Sequence, residues 1–189
     1  MKITVLGTDY IALITAACLA DMGNEVICVD RDEGRIDALD HGRLPVYEPG
    51  LEDLIRRNCQ GRRLFFSTNF AKAVQTSLII YLISGEGAVS AEGATEPKAL
   101  VALAREVGDA LNEYKIIVNK SNAPVGTTTQ LREAIAGALA SRGQTIDFDV
   151  VVDPEFIKQG TAIDDFMRPD RIVIGCESAT AAAHLQELY

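Results

Sequence analysis

Short apolar runs alternate with helical patterns along this chain, and the alternation constrains the fold more than any other sequence feature. The runs are almost continuously apolar, which is typical of parallel strands covered on both faces. Predicted strands cover residues 2–6, 25–29, 78–83, 115–119, 148–152 and 171–174, and predicted helices cover 10–22, 97–111, 127–141 and 179–189. Repeated strand–helix–strand units predict an α/β fold with a doubly wound, mostly parallel, Rossmann-like sheet.

Size and charge narrow the function. The chain has 189 residues, and we expect residues 1–189 to form a single domain. The net charge of -9 argues against nucleic acid as a partner and provides no basic surface for an anionic membrane. No run of 18 apolar residues is present, and Met1 leads directly into a strand pattern without a leader-like segment. The prediction is a cytoplasmic protein without a membrane span.

The cysteines and histidines do not have the spacing of a metal site. The four cysteines form no C-x-x-C pair, and His41 and His184 lie far from each other and from any cysteine in the sequence. We therefore predict no metal, and we expect Cys18 and Cys28 to be reduced thiols packed in the core.

The first predicted strand is followed by an imperfect dinucleotide-binding loop. Gly7 and Ala12 match the first and third positions of G-x-G-x-x-G/A, while Asp9 stands at the second. Asp30 ends the second strand, where a carboxylate holds the ribose hydroxyls of NAD and repels the extra phosphate of NADP. Arg31 could soften that preference. The alternative for Asp30 is that it only caps or solvates its turn.

Asp9 places a carboxylate where the loop amides would meet a pyrophosphate. A like-charge contact at about 4 Å costs about 1 kcal/mol in water and about 4 kcal/mol at an effective dielectric of about 20. The same carboxylate can serve as the N-cap of the following helix, a contribution of about 1 kcal/mol. We hypothesise that Asp9 occupies the place of the anion at the helix N-terminus and so weakens NAD binding.

Five ordered motifs occur along the chain. They begin at Lys2, Val29, Tyr47, Lys120 and Asp153, and read KITVLGT, VD, YEPGL, KSNAPVGT and DPEFIKQG, the last continuing through DFMRPDR. Through these motifs the chain resembles the NAD-binding domain of the UDP-glucose/GDP-mannose dehydrogenase family, and is most similar within it to bacterial UDP-glucose 6-dehydrogenases. The resemblance covers nearly the whole chain but less than half of a usual member, so we expect the central helix and the C-terminal UDP-sugar domain to be absent.

The resemblance implies a reaction and a set of site residues. The family oxidises the C6 hydroxymethyl group of a nucleotide sugar to a carboxylate in two NAD-dependent steps, UDP-glucose to UDP-glucuronate in these relatives. By resemblance, catalysis falls to Glu155, Asn122 and Gln159. The cofactor site would consist of Gly7, Tyr10, Ile11, Asp30, Arg35, Glu86 and Asn122, and the substrate site of Glu155, Phe156, Ile157, Lys158 and Gln159.

Several of these positions depart from the family pattern. Glu86 and Asn122 replace threonines, Asp153 replaces an asparagine, and Gln159 replaces a glutamate and cannot act as a base. The nucleophilic cysteine of the family belongs to a Gly-Gly-x-Cys motif that surrounds none of the four cysteines here. We therefore expect Glu86, together with Asp9, to weaken NAD binding, and we expect no turnover by this chain alone.

Three interpretations remain open from the sequence. The chain could be the cofactor domain of a dehydrogenase completed by a separate C-terminal half. It could be a non-catalytic remnant or binding module with weak or no NAD affinity, or a truncated product with no role. Expected partners are a nucleotide-sugar substrate, a separate C-terminal half and a second copy of the chain through self-association.

Overall fold

The computed structural model describes residues 1–83 and 97–189, and these contain one parallel sheet with helices on both faces. The strands run in the order β3-β2-β1-β4-β5-β6, and every pairing is parallel. This is the doubly wound sheet that the sequence predicts. Its strands are β1 (Lys2–Leu6), β2 (Glu25–Val29), β3 (Leu64–Ser67), β4 (Ile79–Leu82), β5 (Lys115–Asn119) and β6 (Phe148–Val152).

Five of the six predicted strands are confirmed to within one residue at each end, and the sixth is wrong. Residues 171–174 form no strand, and their backbone meets the sheet only through a bridge between Gly175 and Val152 just beyond them. Three of the four residues in that run are exposed, so their apolar pattern does not reflect burial in the sheet. The strand that the prediction missed is β3, which has only four residues and only one buried side chain, Leu64.

The four predicted helices are confirmed with ends within one residue, and four short helices were not predicted. Three of them, α2, α4 and α7, have six to eight residues and so show little helical periodicity. The other, α3, does bury residues at helical spacing, Leu51, Leu54, Ile55 and Asn58, and the sequence analysis overlooked that pattern. The helices are α1 (Tyr10–Asp21), α2 (Glu33–Asp40), α3 (Leu51–Gln60), α4 (Phe70–Thr76), α5 (Pro97–Ala110), α6 (Thr127–Ser141), α7 (Ala162–Met167) and α8 (Ala179–Leu188).

Successive residues of the strands supply two separate hydrophobic layers. Ile79 and Tyr81 of β4 pack in the layer that contains α1, α3, α7 and α8. Ile80 and Leu82 of the same strand pack in the opposite layer, against α4, α5 and α6. Because side chains alternate along a strand, a continuously apolar run buries both faces of the sheet. The loops that follow the strands are thereby held on a rigid platform.

Helices α5 and α6 approach each other closely at Gly108. A Cβ atom at this position would lie 2.7 Å from the Cβ of Ala138 and 2.8 Å from the carbonyl oxygen of Ile135. The guanidinium of Arg142 donates to the carbonyl oxygens of Gly108 and Leu111 at 2.8 and 2.9 Å. Glycine is therefore required here by the contact between helices rather than by a turn.

Candidate functional site

The predicted site residues follow the carboxyl ends of the strands. The strand order reverses between β1 and β4, and ligands of doubly wound sheets bind in the crevice at such a point. Gly7 follows β1, Asp30 follows β2, Asn122 lies beyond β5, and Glu155 lies beyond β6. Glu86, predicted to contact the cofactor, lies outside the described residues.

Gly7 makes the tight turn that leads from β1 into α1. Its φ is +121°, a region that L side chains rarely adopt, and a Cβ there would lie 3.3 Å from the carbonyl oxygen of Ile83. The amide of Gly7 donates to the carbonyl oxygen of Val29 at 2.8 Å. The structure thus explains the glycine at the first fingerprint position mainly through the backbone angle, with the close approach of Ile83 adding to it.

Asp9 is the N-cap of α1. Its Oδ1 accepts a hydrogen bond from the amide of Ala12 at 3.0 Å, and its backbone is extended, as expected for a cap. The capping role predicted from the sequence is confirmed. A carboxylate therefore lies at the helix N-terminus, where a dinucleotide fold presents backbone amides to a pyrophosphate. The effect on NAD stays a prediction.

Asp30 is held by three neighbours at the tip of β2. Its Oδ2 accepts a hydrogen bond from the hydroxyl of Thr8 and lies 3.5 Å from Nη1 of Arg35, which also reaches the Thr8 hydroxyl at 3.4 Å. Its Oδ1 accepts from the amide of Asp32 at 3.0 Å. The turn-capping alternative is therefore correct for one oxygen, while the other faces Thr8 and Arg35. Arg31 points elsewhere and pairs with Glu106.

Cys28 lies beneath the phosphate loop. Its thiol donates to the carbonyl oxygen of Gly7 at 3.0 Å. Burial raises its pKa, and the negative charges of Asp9 and Asp30 raise the pKa further. Burial likewise raises the pKa of Cys18 to about 12. Within the described residues all four cysteines are free, and Cys18 and Cys28 are buried in the core, as the sequence predicts.

Tyr10 does not present its hydroxyl to the cofactor crevice. The ring is buried, and the hydroxyl donates to Oε2 of Glu48 at 2.6 Å. The same Oε2 accepts from the amide of Gly160 at 2.7 Å, and Oε1 accepts from the amide of Ala162 at 2.8 Å. Burial would raise the pKa of Glu48, but these three hydrogen bonds outweigh it and hold the pKa below its usual value. Ile11 beside Tyr10 is half-buried.

Sequence reasoning did not assign a role to Glu48. It lies in the YEPGL motif, which carried part of the family resemblance but has no catalytic spacing. Glu48 is 4% exposed, and a buried acid requires partners that stabilise its charge. That motif was the only sequence signal for this residue.

The ends of β5 and β6 are joined by a buried ion pair. Lys120 Nζ lies 3.0 Å from Oδ2 of Asp153, and the two side chains are 6% and 3% exposed. The hydroxyl of Tyr189 donates to the same Oδ2 at 2.5 Å, and the hydroxyl of Tyr81 lies 3.0 Å from that of Tyr189. The ammonium group also stands 5.4 Å above the ring centre of Phe166. The sequence indicated Lys120 and Asp153 only as motif members.

The predicted substrate residues lie on the segment after β6. A cavity of about 40 Å³ opens beside Lys120 and Asp153 and is lined in part by Glu155, Phe156 and Ile157. It has room for a few water molecules. Phe156 is 58% exposed. Lys158 and Gln159 are exposed and do not line the cavity, and neither does Asn122, so these three predicted residues lie apart from it.

The described parts of the chain contain no group of three His, Cys, Asp or Glu side chains placed to hold a metal ion. In the same parts no helix has the length and apolar character needed to cross a membrane.

Comparison with known proteins gives this geometry a family. The family model described as "UDP-glucose/GDP-mannose dehydrogenase family, NAD binding domain" matches residues 1–189. The chain belongs to this family. The resemblance read from the motifs is thereby confirmed, and NAD is the cofactor expected of the domain.

Bacterial UDP-glucose 6-dehydrogenases align with the chain over its whole length. It is 39% identical to a UDP-glucose 6-dehydrogenase of Pseudomonas aeruginosa, covering 100% of this chain and 42% of that protein. It is 43% identical to the UDP-glucose 6-dehydrogenase TuaD of Bacillus subtilis, covering 100% of this chain and 40% of that protein. The chain thus spans about two fifths of the length of these relatives.

Solved structures agree with the family assignment. A ternary complex of GDP-mannose dehydrogenase from Pseudomonas aeruginosa superposes with a TM-score of 0.89 at 32% identity, covering 100% of this chain and 44% of that one. A UDP-glucose dehydrogenase from Pyrobaculum islandicum gives a TM-score of 0.87 at 33% identity, covering 99% of this chain and 43% of that one. Both are dehydrogenases of nucleotide sugars by name.

Proposed function

We propose that this chain is the cofactor domain of a nucleotide-sugar dehydrogenase and that it holds NAD mainly by the adenosine ribose. The observation that carries the proposal is the position of Asp30, fixed at the tip of β2 by Thr8 and Arg35. A carboxylate in that position can accept hydrogen bonds from two ribose hydroxyls, and its charge opposes an added phosphate. Gly7 supports the proposal, because its φ of +121° gives the tight turn that a dinucleotide-binding loop requires.

The pyrophosphate would meet resistance at Asp9. The residues present therefore fit the adenosine side of NAD and conflict with its centre. A repulsion of about 1 to about 4 kcal/mol corresponds to a loss of about fivefold to about a thousandfold in affinity. We propose Gly7, Ile11, Asp30 and Arg35 as the cofactor contacts, and Tyr10 as an indirect one through Glu48, with Glu86 and Asn122 as further contacts implied by the family.

The reaction proposed for the complete site is oxidation of UDP-glucose to UDP-glucuronate. When bound, NAD supplies the hydride acceptor. Glu155 lines the cavity beside Asp153, and there it would orient a hydroxyl or a water and take up a proton. Phe156, Ile157, Lys158 and Gln159 would form the rest of the substrate segment. The exposed Asn122 and Gln159 are proposed as weaker catalytic contributors.

Turnover by this chain alone is not expected. The family mechanism needs a reactive thiolate, and burial raises the pKa of Cys18 and Cys28 rather than lowering it. The proposed partners are a nucleotide sugar, a separate C-terminal half and a second copy of the chain. Exposed apolar side chains support association, namely Val125, Phe156, Ile172 and Val173. A cytoplasmic location and the single domain over residues 1–189 remain predictions.

The second candidate function is a non-catalytic module of the same fold with weak or no NAD affinity. The cap formed by Asp9 favours it, because the helix N-terminus already has an anion. The two candidates differ in one measurable property, the affinity of the unaltered protein for NAD.

A calorimetric titration of NAD into the parent, Asp9→Gly and Glu86→Thr proteins separates the candidates. The cofactor-domain proposal predicts measurable binding by the parent and tighter binding by both variants. Thermal unfolding should shift upward with NAD, because a ligand that binds the folded state stabilises it. If none of the three proteins binds NAD while all remain folded, the module with no NAD affinity is the correct description.

A further inference from the structure

Glu48 joins two parts of the candidate site that are far apart in the sequence. One oxygen accepts the Tyr10 hydroxyl from the first residue of α1, directly after the phosphate-loop residue Asp9. The carboxylate also accepts the amides of Gly160 and Ala162, which follow Gln159 at the end of the substrate segment. A single side chain from the loop before α3 thus touches both the cofactor helix and the residues that directly follow the substrate segment.

We propose that Glu48 is a positioning residue that, through Gly160 and Ala162, holds the end of the substrate segment, residues 155–159, in a fixed place relative to the first turn of α1. The names of the two parts rest on the proposed function, whereas the connection itself rests on contacts between described residues. Through Tyr10 and Glu48, a displacement at the start of α1 reaches Gly160 without passing through the sheet.

The chemistry of the contact explains why it can act as a rigid connection. A carboxylate withdrawn from water requires hydrogen bonds to stabilise its charge, and charge-assisted bonds are about twice as strong as neutral ones. The buried Glu48 carboxylate accepts three such hydrogen bonds, so releasing any one partner would leave its charge less well stabilised. An amide in its place has only one acceptor oxygen and would keep at most part of the set.

The surroundings oppose any further negative charge near Glu48. Asp165 of α7 lies close enough to act on it electrostatically, and its own carboxylate accepts from the amide of Lys158 at 3.0 Å and the hydroxyl of Thr161 at 2.9 Å. The negative charge of Glu155 likewise opposes ionisation of Tyr10, whose pKa is raised mainly by burial and by Glu48. Asp165 therefore anchors the segment a second time, from α7, while Glu48 connects it to the Tyr10 hydroxyl of the cofactor helix.

Amide hydrogen exchange of the ligand-free full chain tests the connection. In Glu48→Gln, exchange at Gly160 and Ala162 should rise about tenfold or more, while amides of β4 and β5 keep the parent rates. Tyr10→Phe removes only the hydroxyl and retains the buried ring, so it provides a second variant if Glu48→Gln folds poorly. The matched control is Tyr114→Phe, which breaks a similar bond of 2.6 Å to Asp149 elsewhere and should leave Gly160 unchanged.

A second experiment tests whether a change at the start of α1 is transmitted to Gly160, which a purely structural role of Glu48 would not require. Asp9→Ala removes the cap and loosens the start of α1, and we expect Gly160 to exchange several-fold faster as a result. In a Tyr10→Phe background the same substitution should have no further effect on Gly160. An equal effect of Asp9→Ala in both backgrounds, or parent-like exchange at Gly160 in Glu48→Gln, would overturn the proposal. Because no ligand is added, failure of NAD to bind would overturn the proposed function and leave this result standing.

Discussion

Lys120 at the end of β5 and Asp153 at the end of β6 form an ion pair of 3.0 Å that is more than nine-tenths buried. The pair ties together the two loops that carry Asn122 and Glu155. Tyr189 donates to the same carboxylate oxygen, so the start of the substrate segment is also fixed to the end of α8. Asp153 is one of the departures from the family motif, and here its added charge has a cationic partner.

Breaking this pair should destabilise the protein strongly. Lys120→Met leaves the Asp153 carboxylate with Tyr189 but without its counter-ion, and we expect the free energy of unfolding in urea to fall by about 3–5 kcal/mol. The double variant Lys120→Met, Asp153→Leu removes both charges and should lose less than the single variant. A double variant that loses the sum of the two single effects would show that the charges do not interact.

Removing the charge of Asp9 should strengthen NAD binding without cost to the helix. Asn is as good an N-cap as Asp, so Asp9→Asn should keep the hydrogen bond to the amide of Ala12. We expect about fivefold or greater gain in NAD affinity by calorimetry, with an unchanged melting temperature. The gain follows from the loss of like-charge repulsion with the pyrophosphate.

The companion variant of that experiment is Asp9→Ala, which removes both the charge and the cap. It should bind NAD more tightly than the parent, yet lose about 1 kcal/mol in unfolding free energy. Equal NAD affinity in the parent and both variants would contradict the view that Asp9 occupies the anion position.

Substitution of Gly108 should destabilise the contact between α5 and α6. In Gly108→Ala the new Cβ would overlap the Cβ of Ala138 and the backbone of Ile135, so we expect a loss of about 1–3 kcal/mol in urea denaturation. Gly137→Ala is the matched control on α6, because nothing lies within 4 Å of the added atom. That control should gain about 0.5–1 kcal/mol from helix propensity. Similar changes in the two variants would disprove the close contact.

Stability should fall in acid in a way that depends on Glu48. Its pKa is lowered in the folded state, so between the folded and unfolded pKa values the unfolded chain binds more protons. The contribution of Glu48 to the free energy of unfolding is therefore complete above about pH 4.5, the ordinary pKa of a glutamate. It is lost as the pH falls through the lower pKa of the folded state. Between about pH 7 and about pH 3, the free energy of unfolding of Glu48→Gln should fall less steeply than that of the parent protein. A parent slope in the variant would contradict this assignment.

Local sequence predicted the repeating framework. Apolar runs and amphipathic spacing located five strands and four helices within one residue at each end. They did so because burial in and against a parallel sheet places apolar residues at regular intervals in the sequence. The same local reading failed for residues 171–174, where apolar side chains are exposed, and for β3, whose pattern is too short. Whether such a segment forms a strand depends on its pairing with a neighbouring strand, and the local periodic pattern carries no information about that pairing.

The sequence by itself also determined the turn at Gly7, the cap at Asp9 and the carboxylate at Asp30, because each depends on neighbours only a few residues away or on the end of a predicted strand. Only the tertiary structure decided that Glu48 bonds Gly160, 112 residues later, and that Lys120 pairs with Asp153, 33 residues later. Contacts of that kind arise when separate loops meet at one edge of the sheet, and no local spacing specifies which side chains will face each other there.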